Sequence, residues 1–235
     1  MSGLIEARKG TTSAGKTLAL NPALIGHAAQ VGRSLVLEHG HDPCTRKQAA
    51  FHEAGHAVVL AAFGARIKSC EIRKRRAPHS DTQLWLGLTY CDDNSWHQGR
   101  PNQDGNYLST DQSIEYLVRT GMDTLAGIAG EIVTNTWHPS SSIDENVTGL
   151  SIASALDSRY GLAHSTAGVV LMALNTNLLD QHRVIFLELG HLLAKHKKLS
   201  GGVVAHLLRG VEPCPSAKAR FIQALMQFQA QGGAA

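Results

Sequence analysis

Cysteine is scarce in this chain: Cys44, Cys70, Cys91 and Cys214 are the four in 235 residues, with no C-x-x-C pair among them. That spacing indicates neither a disulfide framework nor a structural zinc knuckle, so free thiols in a reducing cytoplasm are the expectation. Charge of one sign is equally scarce. Twenty-two Lys and Arg against nineteen Asp and Glu leave a formal +3, too little to argue for a nucleic-acid partner. The single basic cluster, Arg73-Lys74-Arg75-Arg76, reads as a solvated hairpin tip. Long apolar runs are missing too. No stretch approaches the roughly 20 residues that cross a bilayer, and no basic segment, apolar core and cleavage site follow one another near the N-terminus. A soluble cytoplasmic protein with no membrane partner is expected. What remains is 43% hydrophobic and 17% charged, an ordinary globular balance in a chain long enough to bury a substantial core.

Against that plain background stands Phe51-His52-Glu53-Ala54-Gly55-His56-Ala57. An H-E-x-x-H pattern on a helix puts two imidazoles one turn apart on one face, where both reach one zinc ion, and sets the glutamate beside a water on that metal. This is the layout of a metallopeptidase, with His52 and His56 as ligands and Glu53 as general base. The flanks supply the helix. Thr45 and Gln48 form a capping box, Arg46 to Ala50 are good helix formers, and Gly64 ends the apolar run from Ala57 to Phe63.

A second pattern leads nowhere. Gly10-Thr11-Thr12-Ser13-Ala14-Gly15-Lys16-Thr17 matches the phosphate-loop consensus letter for letter. Such a loop works between a buried parallel strand and a helix, whereas Met1 to Lys9 make a poor strand and no later strand ends in an Asp for magnesium. Residues 1–20 are therefore read as a flexible tail.

Along the rest of the chain, Asn21 and Pro22 open a helix whose apolar residues Leu24, Ile25, Ala28, Val31 and Leu35 run toward Gly40. His39 and His41 follow as exposed loop residues. Ile67 to Arg73 and Leu84 to Cys91 read as an antiparallel hairpin, one strand of which could take extended substrate along its edge. Asp92 to Asn106 is a polar loop. From Thr110 a long amphipathic helix runs to Val133, its Ala126, Gly127, Ala129 and Gly130 allowing close approach of a neighbour. A further helix ends near Tyr160-Gly161. Val169 to Lys197 is one long helix or two broken around Asn175 to Asn177, Ser200 starts a short helix, and Ser216 caps the last. His138, His164 and His191 are read as structural.

In this order the motifs resemble the peptidase domain of the membrane-bound AAA proteases, the M41 family of ATP-dependent zinc metallopeptidases. Beside the metal motif, Leu86-Gly87-Leu88-Thr89 resembles the end of the family's hairpin, Ala126-Gly127-Ile128-Ala129-Gly130-Glu131-Ile132 its Gly-Gly-Arg-x-Ala-Glu-Glu stretch, and His182 to Arg209 its C-terminal helical pair. The likeness spans roughly residues 45 to 210. It implies a mainly α, zincin-like helical metallopeptidase domain over residues 21–211, with a small β-hairpin beside the metal helix and a C-terminal helix and tail over 212–235. It also implies Zn2+ as cofactor and a zinc-dependent endopeptidase cleaving unfolded or short polypeptides. The family's third ligand is usually Asp on the helix ending in aromatic-Gly, and counting back from Tyr160-Gly161 puts Glu145 there, with Asp144 one place earlier. Periodicity weighs the two. From Glu145 the same helical face carries Gly149, Ile152, Ala153 and Leu156, whereas from Asp144 it carries Thr148, Ser151, Ile152 and Ala155. Glu145 is preferred, with Asp144 as helix cap and alternative ligand. The resemblance places Glu131 close to the site, orienting a ligating histidine. The family's ATPase module and anchor have no counterpart in these residues, so a separate ATPase is an expected partner, a homo-oligomer a further one, and a non-catalytic peptide- or partner-binding protein that keeps the metal site the alternative function.

Overall fold

Helix α1, Arg46–Ala62, begins as its capping box requires. The Thr45 hydroxyl accepts from Gln48 N at 3.1 Å and the Gln48 side chain accepts from Thr45 N at 3.4 Å, which satisfies two amide donors that a helix start leaves without partners. The computed structural model describes residues 10–11, 17–18, 44–76, 83–91, 111–137 and 142–231. The expected helix from Asn21 toward Gly40, His39, His41, the Asp92 to Asn106 loop and His138 lie outside them.

The described residues are mainly helical, with a small three-stranded antiparallel sheet. α1 leads into a hairpin of β3, Ile67–Arg76, and β4, Gln83–Cys91. Then come α2, Asp111–Val133, α3, Ile143–Tyr160, α4, Thr166–Gln181, and α5, Arg183–His196. A short strand β5, Lys198–Ser200, is followed by α6, Gly201–Leu207, and the chain finishes with α7, Ala217–Ala230. The sheet order is β4-β3-β5, with Cys70 opposite Thr89 on one side and Leu199 on the other. Near the N-terminus, β1, Gly10–Thr11, and β2, Thr17–Leu18, pair antiparallel. Thr17, which a phosphate loop would place at the opening of a helix, is thus in a strand.

α1 is buried on nearly every side, between α2, α5 and the sheet. Its closest neighbour is α2, and small residues set the distance. A side chain at Gly55 would overlap the Ala126 carbonyl, and one at Gly127 would overlap the His52 ring. α2 in turn packs on α3, α4 and α7. Leu117, Met122, Ile152, Leu156, Leu171 and Phe221 fill the core between them. Removing this much apolar surface from water is the dominant stabilising term. The carboxylate of Glu115 on α2 holds α7 in place, accepting from the amides of Ala217 at 3.0 Å and Lys218 at 2.7 Å at that helix's start. Among the described residues no helix is long and apolar enough to cross a membrane.

Two expectations are corrected. The break in the long helical stretch falls at His182, between α4 and α5, rather than around Asn175 to Asn177. Asn175 is buried inside α4 and donates to the Met122 carbonyl at 2.8 Å, so this polar residue ties two helices together instead of ending one. Asp144 is no helix cap, because α3 starts at Ile143 and Ser142 occupies the N-cap position. The Arg73 to Arg76 cluster forms the exposed end of β3, where the hairpin's pairing finishes at Arg76 and Gln83.

Candidate metal centre

Three elements bring the chemistry together. His52 and His56 project from one face of α1, and Glu145 reaches them from the first turn of α3. Their ligand atoms all lie within 4.8 Å of one another, a group that could hold a metal ion. Glu145 Oε2 is 2.9 Å from His52 Nε2, Glu145 Oε1 is 3.2 Å from His56 Nε2, and the two Nε2 atoms are 3.1 Å apart. The side chain of Asp144 is not among those described. The two imidazoles are enclosed, with side chains 10% and 1% exposed, whereas Glu145 is 24% exposed and marks the open side.

The far nitrogens of both rings are held by carboxylates on α2. His52 Nδ1 faces Glu131 Oε1 at 2.6 Å, and His56 Nδ1 faces Asp123 Oδ1 at 3.4 Å. Glu131 Oε2 also accepts from Gln48 Nε2 at 2.9 Å, so the residue that closes the capping box also steadies the carboxylate behind His52. Ser142, in the left-handed region at φ 52°, brings its hydroxyl within 3.3 Å of the same Nδ1. A carboxylate on each Nδ1 favours the tautomer that carries its proton there and leaves both Nε2 atoms with lone pairs.

Two lone-pair nitrogens and a carboxylate turned toward one point repel unless positive charge lies between them. Glu145 Oε2 has the same need: it is buried, and its short approach is to His52 Nε2 at 2.9 Å. The acid–base balance agrees. Burial alone would lower the histidines and raise the glutamate. The Glu145 charge overrides this and lifts His52 well above its usual range and His56 to about 10, while the two imidazoles hold Glu145 far below an ordinary carboxylate. The residues fit a divalent cation, which neutral imidazoles and an ionised carboxylate would coordinate without extra protons.

Glu53 lies on the same helix, one place beyond His52, and is buried. β4 fixes it. Thr89 Oγ1 donates to Glu53 Oε2 at 2.7 Å and sits 3.2 Å from the Glu53 carbonyl, while Gly87 leaves room for the carboxylate arm. Burial pushes the Glu53 pKa up, against the opposing pull of His56 and His52, the direction that suits a group which must take and release protons near neutrality.

His52, Glu53, His56, Glu131 and Glu145 are therefore assembled in one place. His191 stands on α5 against the Phe51 ring, 5.2 Å between centroids, and His164 lies between α3 and α4, apart from this group. Asp123 and Ser142 were not anticipated, and Gln48 and Thr89, read only as a helix cap and the end of the hairpin, were not expected to touch Glu131 and Glu53. For Asp123 a signal existed: it lies eight residues before Glu131 on α2, which puts both carboxylates on one helical face. Compared with models of protein families and with curated proteins, the chain matches none.

Proposed function

We propose that this protein is a zinc-dependent metalloendopeptidase acting on unfolded or short polypeptides. The observation that carries the reading is the pairing of the His52, His56 and Glu145 cluster with a buried carboxylate, Glu53, clamped by Thr89 beside it. Two imidazoles and one carboxylate are a donor set that zinc favours. Donors about 2.0 Å from a tetrahedral centre stand about 3.3 Å apart; the two Nε2 atoms are 3.1 Å apart, and each has one oxygen of Glu145 at a similar distance, 2.9 and 3.2 Å. The resemblance of the motif order to M41 peptidases points the same way.

Bound there, zinc would supply Lewis acidity, polarising a scissile carbonyl and bringing the pKa of water toward about 7. The chain's own residues do the rest. Glu131 and Asp123 hold the imidazoles in one tautomer and orientation. Glu53 takes the proton of the attacking water on its carboxylate and later gives it to the leaving amine, with Thr89 keeping the carboxylate aimed. Strand β4 offers an edge for extended substrate. Trp85 N–H donates away from β3, to the Cys44 carbonyl at 3.2 Å, so Gly87 and Thr89, at the same phase of the strand, turn their backbone groups outward beside Glu53. A separate ATPase that delivers unfolded chain is the partner this reading calls for.

Purified protein analysed for metal and incubated with casein or a peptide library provides the test. Near-stoichiometric zinc, hydrolysis blocked by chelator, and a zinc-loaded but inactive Glu53→Gln variant are expected. Hydrolysis by zinc-loaded Glu53→Gln overturns the assignment of the base. Zinc without cleavage of any peptide favours the non-catalytic binding protein.

A further inference from the structure

Two turns before Glu53 on α1, three cations gather on one aromatic ring. Arg46 Cζ is 5.5 Å, Lys74 Nζ 5.7 Å and Lys197 Nζ 5.9 Å from the centroid of Trp85. Each comes from a different part of the fold: the start of α1, strand β3 and the residue between α5 and β5. A cation–π contact accounts for one of them on this ring, and the other two add positive charge around the same side chain. Among the described residues none of the three makes an ion pair, and the nearby acid of β3, Glu71, is already taken by Lys198 Nζ at 2.9 Å. Arg46 Nη2 donates to the Lys195 carbonyl at 2.7 Å, whereas its Nε is buried with no hydrogen-bond partner. Lys74 and Lys197 are exposed, and Arg46 and Trp85 half-buried, so an anion from solution can reach the group.

Its place relative to Glu53 follows from two periodicities. Arg46 and Glu53 are seven residues apart, hence on one helical face and about 10 Å apart along the axis. On the facing strand, Trp85, Gly87 and Thr89 alternate onto the same side. Arg46 meets Trp85 at one end of this track, and Glu53 meets Gly87 and Thr89 at the other. An extended polypeptide covers about 10 Å in three residues.

We propose that Arg46, Lys74 and Lys197, gathered on Trp85, form a subsite for an acidic side chain of the polypeptide substrate, about three residues from the bond that Glu53 serves. The inference rests on the peptidase reading and assigns its substrate class, polypeptides with Asp or Glu flanking the cleaved bond. An acidic polypeptide suits the cluster better than a nucleic acid. Strand alternation sends Arg73 and Arg75 to the face opposite Lys74 and Arg76, so the four cations of this stretch of β3 are divided between its two faces.

The test uses metal-loaded Glu53→Gln protein, which binds peptide without consuming it, and two fluorescein-labelled peptides that differ only in Glu against Gln at positions flanking one bond. The acidic peptide is expected to bind about tenfold more tightly, as a charge-assisted contact implies. Adding Lys74→Gln and Lys197→Gln together should bring the ratio close to one. In protein without those two changes, raising salt should shrink the preference, a readout that depends on neither substitution. Equal binding of the two peptides, a preference that survives the double substitution, or displacement of the acidic peptide by a single-stranded oligonucleotide at lower concentration overturns the proposal. Hydrolysis by the unsubstituted protein separates the two levels: cleavage with no acidic preference sinks the subsite and leaves the peptidase. Acid-selective binding without cleavage sinks the peptidase and leaves the subsite.

Discussion

Gly87 of β4 lies so close to Glu53 that a methyl group there would overlap the glutamate's Cγ and carboxylate. The strand and the metal-motif helix therefore meet at Glu53, the carboxylate to which the peptidase proposal gives the proton transfer.

Gly87→Ala should displace that carboxylate while leaving His52, His56 and Glu145 untouched. Overpacking at a buried contact costs about 1 to 3 kcal/mol, so thermal unfolding should move down modestly. Zinc content should stay near wild type and peptide hydrolysis should fall at least tenfold, of the order lost when a general base is misplaced. Full activity in the variant would show that Glu53 does not need its present position.

The carboxylates behind the imidazoles give a second expectation. Glu131→Gln and Asp123→Asn should each weaken zinc binding about 10- to 100-fold, the usual effect of removing the partner that orients a ligand. Glu131, at 2.6 Å from His52, should matter more than Asp123, at 3.4 Å from His56. Competition with a chromophoric chelator measures both, and unchanged affinity in Glu131→Gln would reject its orienting role.

Metal should stabilise the fold, because its ligands come from two separate helices, α1 and α3. At 100- to 1,000-fold excess over the dissociation constant the gain is about 3 to 4 kcal/mol. Differential scanning calorimetry with zinc and with chelator should show a clear upward shift on zinc. A transition indifferent to both would argue against a site between these helices.

Glu115 sets a pH dependence remote from the metal. Burial alone would raise its pKa, but the amides of Lys218 and Ala217 and the Arg119 guanidinium, 2.6 Å away, outweigh this and hold it below the ordinary value. A lowered carboxylate contributes stability that is present above the unfolded-state pKa and is lost as pH falls through the folded-state one. Glu115→Gln should therefore destabilise the protein by about 1 to 2 kcal/mol at pH 7. The gap from wild type should close as pH drops below about 4. Denaturant unfolding across that range checks it, and a constant gap would exclude charge as the cause.

The metal helix was legible because its signals are local. Thr45, Gln48, His52, Glu53 and His56 act within a few residues of one another, and the 3.6-residue period alone puts both histidines on one side. The hairpin and α2 could be read for the same reason. Glu145 was reached through the family resemblance, and the apolar face it shares with Ile152 and Leu156 served only to weigh it against Asp144. β5 left no trace, since three residues carry no usable alternation and its pairing with β3 joins Leu199 to Cys70 across the whole helical bundle. The break at His182 was misplaced because an Asn inside a helix looks like a breaker until a distant carbonyl, that of Met122, satisfies it.

By itself the sequence determined which atoms are available for the chemistry: two imidazoles one turn apart, a carboxylate between them, and small residues on a second helix. Tertiary structure decided what surrounds them. Only the crossing of α1 and α2 sets Asp123 and Glu131 behind the rings, only the docking of β4 puts Thr89 and Gly87 on Glu53, and only the meeting of α1, β3 and the end of α5 brings three cations to Trp85. These relationships depend on distances between segments far apart in the chain, and a linear pattern encodes spacing along the chain but not across it.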